Sequence, residues 1–191
     1  MRLLSRTLLA GLILSVSAVN ALAADLHASY KVAEAYLSAI HLHEWDKAVK
    51  LVETKSLESL KVFQKNYLLR APTIAEEQEL LRLLGMAEIS DIDKLRPADV
   101  FVRRGKAKTK KLVNPDQHIA QMKKTLKIKT LGTVPEGKSA VHAVVRKEFA
   151  AEEKGFSELA FVSLVKEGTV WKVSLDAQEP KVFSLTPKKK K

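Results

Sequence analysis

Chemistry in this chain would have to come from five histidines and a crowded set of basic side chains. His41-Leu42-His43-Glu44 offers two imidazoles and a carboxylate, all of them zinc-ligand types. Histidines two apart point about 200° apart on a helix and share a face only in extended backbone. The stretch falls at a helix end and is not an HExxH motif, so no metal site is assigned to it. His142 lies in a strand, opposite in phase to Val141, Ala143 and Val145. Its imidazole could act as acid or base if that face lined a pocket; on an open face it is a solvated histidine. Ser163 has no glycine elbow and no base near it in sequence. Gly105-Lys106 lacks both the first glycine of a phosphate loop and the Ser or Thr after the lysine. No catalytic residue and no cofactor is therefore assigned.

The net charge is +11, and two clusters dominate it. Arg103, Arg104, Lys106, Lys108, Lys110 and Lys111 lie mid-chain, and Lys188, Lys189, Lys190 and Lys191 close the sequence. Such patches attract polyanions and anionic membrane surface. No aromatic residue interleaves either cluster as a base-stacking platform would require, so nucleic acid is not expected. Anionic envelope polymers and lipid headgroups are the better match. Simple solvated charge is the plainer reading of both clusters.

The envelope follows from the chain's start. Arg2 and Arg6 precede an apolar run from Leu8 to Val19, and Ala21-Leu22-Ala23 follows as a small-x-small site. This is the pattern of an export signal cleaved after Ala23, which implies a secreted or periplasmic protein. The run falls short of the ~20 apolar residues that cross a bilayer, and no later segment reads as a transmembrane span. Cysteine is absent, which excludes disulfides and thiolate metal sites and leaves packing to hold the fold. The expected organisation is a signal peptide over 1–23, a single domain over 24–178 and a flexible basic tail over 179–191.

The elements that must position these residues divide into a helical and a strand half. Leu26, Tyr30, Ala33, Leu37 and Ile40 recur at helical spacing, and Trp45, Ala48, Val49 and Val52 continue after a break near His43. Leu57, Leu60, Phe63 and Tyr67 mark a third helix, stopped by Pro72. A capping box at Thr73-Ile74-Ala75-Glu76 opens a fourth, which Gly85 ends. Pro97 opens a short helix carrying Val100 and Phe101, and the basic segment after it is expected to be an exposed loop. Asn114-Pro115-Asp116 starts another helix. From Thr125 the period becomes two. Strands are expected at Leu126–Lys129, Ala140–Phe149, Leu159–Val165 and Trp171–Leu175, with Leu159–Val165 central, joined by short turns into an antiparallel meander. Helices followed by such a sheet give an α+β domain.

This order resembles the NTF2-like superfamily, a cone-shaped α+β fold shared with ketosteroid isomerase. The likeness rests on Val32-Ala33-Glu34-Ala35-Tyr36-Leu37 followed by Trp45-Asp46-Lys47-Ala48-Val49. It rests also on Lys127–Gly137, Ala140–Val144 and Val170–Val173. The resemblance implies a fold and no particular reaction. Within a cone, Tyr36, Tyr67, His142 and Glu148 are the candidates to line a pocket. It leaves three readings: a binding domain for a small molecule or partner protein, an isomerase- or dehydratase-type enzyme with an acid–base pair, and an electrostatic binder of anionic polymers or lipid headgroups. It also implies a homodimer through the sheet.

Overall fold

The computed structural model describes residues 25–137, 139–151, 154–175 and 183–184. The expected export signal, its cleavage site and Lys188 to Lys191 lie outside these residues. The fold is α+β, with helices packed on an open antiparallel sheet.

The first helix, α1 (residues 25–41), buries Ala33 and Leu37 against the sheet. Asp25 ties this helix to Trp171, whose indole N–H donates to the Asp25 main-chain oxygen and carboxylate at 3.0 Å. Asp25 also pairs with Lys166 at 2.7 Å. The helix ends in a turn where His43 has a φ of 57°. Then come α2 (Trp45–Ala48) and a 3-10 turn (Val49–Leu51). The helical spacing predicts a helix that carries on to Val52. Instead Val52 is extended, because it bridges Val173 while the Glu53 N–H donates to the Val173 carbonyl at 2.9 Å.

Helix α3 (Thr54–Leu69) stands where expected, but its buried face does not. Ser56, Leu57, Gln64 and Leu68 are buried, whereas Phe63 and Tyr67 are 56% and 52% exposed. Those aromatics belong to the rim of the buried stripe. Helix α4 (Ile74–Leu84) has the expected caps: the Thr73 hydroxyl accepts from the Glu76 N–H at 3.2 Å, and Gly85 takes a φ of 67°. After α5 (Asp91–Lys94), helix α6 runs the full length of Pro97–Lys110. The basic segment expected to be a loop is thus mostly helix. Val100, Phe101, Gly105 and Ala107 give it a buried stripe to the end, and lysine and arginine are good helix formers. Helix α7 (Pro115–Thr125) follows from Asn114-Pro115 as expected.

The sheet is a meander of β1 (Lys127–Glu136), β2 (Ala140–Ala151), β3 (Lys154–Glu167) and β4 (Val170–Val173). A short β5 (Phe183–Ser184) pairs with β3 at Glu158 and Leu159, within the stretch expected to be tail. A bulge at Leu131 shifts the register of β1. There the Thr130 N–H donates to the Glu34 carboxylate at 2.7 Å, which locks α1 to β1. Val141, Ala143, Val145, Ala160, Val162, Leu164, Trp171 and Val173 face α1 and form one core. A second core joins Trp45, Ala48, Val52, Leu57 and Phe101, and a third gathers Leu68, Leu81, Leu84, Ile92 and Val100. Both lie among the helices. No described helix is long and apolar enough to cross a membrane.

Candidate functional site

The third core opens to solvent along one side, and there the helices leave a groove of about 310 Å³. Leu80, Leu83 and Leu84 from α4 and Ala107 from α6 line it, with Phe63, Gln64 and Tyr67 from α3. The remaining lining residues are basic: Arg104, Lys108 and Lys111. Arg104 and Lys108 lie one turn apart on α6, and Lys111, its C-cap in αR backbone, continues the same face at i+7. The volume lies at the lower end of the ~300–1,000 Å³ usual for small-molecule sites.

The groove's own contacts are specific. Phe63 stacks on Tyr67 with centroids 6.4 Å apart and planes 18° from parallel. The Arg104 guanidinium lies over the Phe63 ring at 5.7 Å, a cation–π contact worth about 0.5–1 kcal/mol at an exposed site. On the α4 side, Glu79 accepts two hydrogen bonds from Arg82, at 2.8 and 2.9 Å. Those bonds hold its carboxyl below the ordinary range, with Lys111 adding to the effect. Arg82 thus pairs with the carboxylate of α4 that lies beside Lys111. An apolar floor beside grouped cations can seat a molecule that has an apolar body and a negative end.

The six mid-chain basic residues therefore divide by helix face. Arg103 instead donates to the Leu84 and Gly85 carbonyls at 3.1 and 2.9 Å, closing the C-terminus of α4. Lys106 pairs with Asp46 at 3.3 Å, and Lys110, one turn on, is exposed.

The four residues expected to line a cone are not brought together. Tyr36 sits on α1 between the first two cores, where burial pushes its phenol up to about 12. Tyr67 is in the groove. His142 lies on the sheet face away from α1, bonded to Glu136 at 2.7 Å and Ser163 at 3.0 Å. Glu148 is exposed on that same face, six residues along the strand and hence about 20 Å away. Among the described residues, no group of three His, Cys, Asp or Glu side chains is arranged to hold a metal ion.

A second polar cluster lies inside, at the end of α1. Lys147 points inward in phase with Val145 and is only 3% exposed. It pairs with Glu158, its cross-strand neighbour, at 3.0 Å. Its ammonium can only donate, so the His41 Nε2 at 3.1 Å accepts, which makes His41 the neutral Nδ1–H tautomer. Burial, followed by the positive Lys147, lowers His41 to about 4. Nearby, the Thr109 hydroxyl accepts from the Trp45 indole at 2.9 Å and donates to the Gly105 carbonyl at 3.2 Å. It also meets His43 Nδ1 at 3.0 Å. His43 lies 5.9 Å from His118, ring to ring. These groups are held by one another rather than directed at an open site.

The sequence offers the groove's cations and, in Tyr67, one of its lining residues, but not the leucines of α4 or Phe63. Phe63 reads only as part of a helical stripe, and an expected loop hides the arrangement of Arg104, Lys108 and Lys111 on α6. Lys147 is charged by type, and its phase with Val141, Ala143 and Val145 is the one sequence signal for its burial. No protein-family model matches the chain, and no curated protein or solved structure matches it.

Proposed function

We propose that this chain is an exported binding domain with an NTF2-like layout, and that its ligand site is the groove among α3, α4 and α6. The groove itself carries the reading: leucines and stacked aromatics form a floor, with three cations along one edge. The enzyme alternative needs titratable groups converging in an apolar pocket. Tyr36, His142 and Glu148 instead occupy separate places on two faces of the sheet. The purely electrostatic alternative would use the basic cluster as a whole. Arg103 is committed to the end of α4, and the remaining cations lie on different faces of α6. The surface for a homodimer is the outer sheet face, where Val134 and Phe161 are exposed.

The test is binding of the dye 1-anilinonaphthalene-8-sulfonate to the protein lacking residues 1–23. Fluorescence should rise on binding, and Phe63→Glu should abolish the rise while leaving the circular dichroism unchanged, since Phe63 is a surface residue. Dye binding that ignores Phe63→Glu, or no dye binding, refutes the groove as the site.

A further inference from the structure

We infer that the groove's ligand is a free single-chain amphiphile with an anionic head, a carboxylate or phosphate on an aliphatic tail. The inference rests on the groove being the binding site and adds the chemical class. Two halves of the lining point to it. Leu80, Leu83, Leu84 and Ala107 offer aliphatic surface with Phe63 and Tyr67 on one wall. That surface gains from burying methylenes and has little to offer a sugar polymer, whose hydroxyls need polar partners. Arg104, Lys108 and Lys111 lie along the α6 edge, where an anionic oxygen can accept charge-assisted hydrogen bonds from an ammonium or a guanidinium. The Arg104 guanidinium is placed by the Phe63 ring beneath it, so one of the three donors sits directly where floor and rim meet.

The volume sets the scale. At about 310 Å³ the groove suits one chain of moderate length rather than a two-chain lipid. Such a ligand would enter head-out, with its tail against the leucines of α4 and its head toward the end of α6. A bilayer surface would present many headgroups and no free tail, so a membrane is a separate outcome of the test.

The experiment is calorimetric titration of the protein without residues 1–23, using hexanoate, octanoate, decanoate, decanol and inorganic phosphate, all below micelle formation. Sedimentation with phosphatidylcholine vesicles containing phosphatidylglycerol is the second arm. Decanoate should bind, tightening by up to about fourfold per methylene from hexanoate upward. Decanol should bind at least about tenfold more weakly. Lys108→Glu with Lys111→Glu should weaken decanoate by about tenfold or more. Lys123→Glu with Lys124→Glu, the same charge change on exposed positions of α7, should not. Equal binding of decanol and decanoate, or no loss in the Lys108/Lys111 double variant, overturns the anionic head. Affinity independent of chain length, or phosphate binding as well as decanoate, overturns the tail. Binding to vesicles without binding to decanoate overturns the free amphiphile in favour of a membrane surface. If the dye binds through Phe63 but no amphiphile does, this inference fails and the groove reading stands. If neither binds, both fail.

Discussion

Lowering the pH from 7.5 to 5 should destabilise this protein by about 2 kcal/mol through one residue, His41. In the folded chain its Nε2 accepts from the Lys147 ammonium, and its ring stacks on Phe149. Protonation would break that acceptor role and set a second cation against the first. Burial and Lys147 lower the group from its ordinary 6.5 to about 4, with His43 and His118 acting in the same direction and Glu158 opposing. Between these two values the unfolded chain binds a proton that the folded chain refuses, so stability falls as the pH falls. The contribution is intact above 6.5, declines through the interval and levels off below about 4. The whole shift corresponds to roughly 3 kcal/mol, and about two-thirds of it is reached by pH 5. Urea unfolding at half-unit steps from pH 7.5 to 5 measures this directly. His41→Gln keeps an acceptor for Lys147 and does not titrate, so its profile should be nearly flat. His43 is lowered in the same direction but is more exposed, and it should account for the small slope that remains. A flat wild-type profile, or a His41→Gln profile as steep as the wild type, refutes the buried neutral histidine.

Three further predictions follow from contacts around the same framework. A Cβ on Gly105 would fall within the Trp45 indole, so Gly105→Ala should cost about 1–3 kcal/mol in urea unfolding despite the better helix propensity of alanine. An unchanged or raised midpoint would show that Trp45 does not lie there. Glu158→Gln strands a charged Lys147 that is 3% exposed, whereas Lys147→Met leaves a carboxylate that still reaches water. The first should therefore be the more destabilising, by about 1–2 kcal/mol. Lys147→Met should also shrink the pH slope in part, because Lys147 is the second cause of the His41 shift and burial the first. Asp25→Ala should cost about 1 kcal/mol, because the Trp171 indole retains the Asp25 carbonyl as an acceptor. The hydrogen bond from Lys166 is the main cause that holds Asp25 below its ordinary 3.8. Its stabilisation is thus present above that value and lost as the pH falls through the lowered one, in a more acid window than His41. A variant whose loss is unchanged down to pH 2 would refute the pairing.

Elements with a local chemical signal were legible in the sequence. Thr73 and Glu76 announced a cap, Gly85 a stop, and the two-residue period of Val141, Ala143 and Val145 a half-buried strand. What failed was any inference that needed a partner. Phe63 and Tyr67 continue the periodicity of Leu57 and Leu60, but the buried stripe runs through Gln64 and Leu68, the latter in one core with Val100 of α6, and the aromatics stay at its margin. Lys147 reads as a surface residue by type; only the register that sets it opposite Glu158, under the end of α1, makes a buried cation tolerable. The basic segment reads as a loop by composition, yet Gly105 is small where Trp45 comes close, and Val100, Phe101 and Ala107 give the helix its buried stripe.

The helical state of the basic segment bears directly on function. In a loop, the six mid-chain cations would form a diffuse patch whose partners are chosen by charge alone. In a helix, the same residues are sorted by 100° steps. One becomes a cap for α4, one reaches Asp46, one (Lys110) faces solvent, and three line a groove floored by leucines. Sorting adds an apolar requirement to a charge requirement, and a ligand must then satisfy both within about 310 Å³. It also moves the candidate site away from the sheet, whose inner face is occupied by Ala33, Leu37 and the packed core of α1. A binding site between helices tolerates this arrangement because the sheet and α1 need only be rigid. The buried His41–Lys147–Glu158 set, fastening α1 to β2 and β3, serves that rigidity at neutral pH and gives it up in acid.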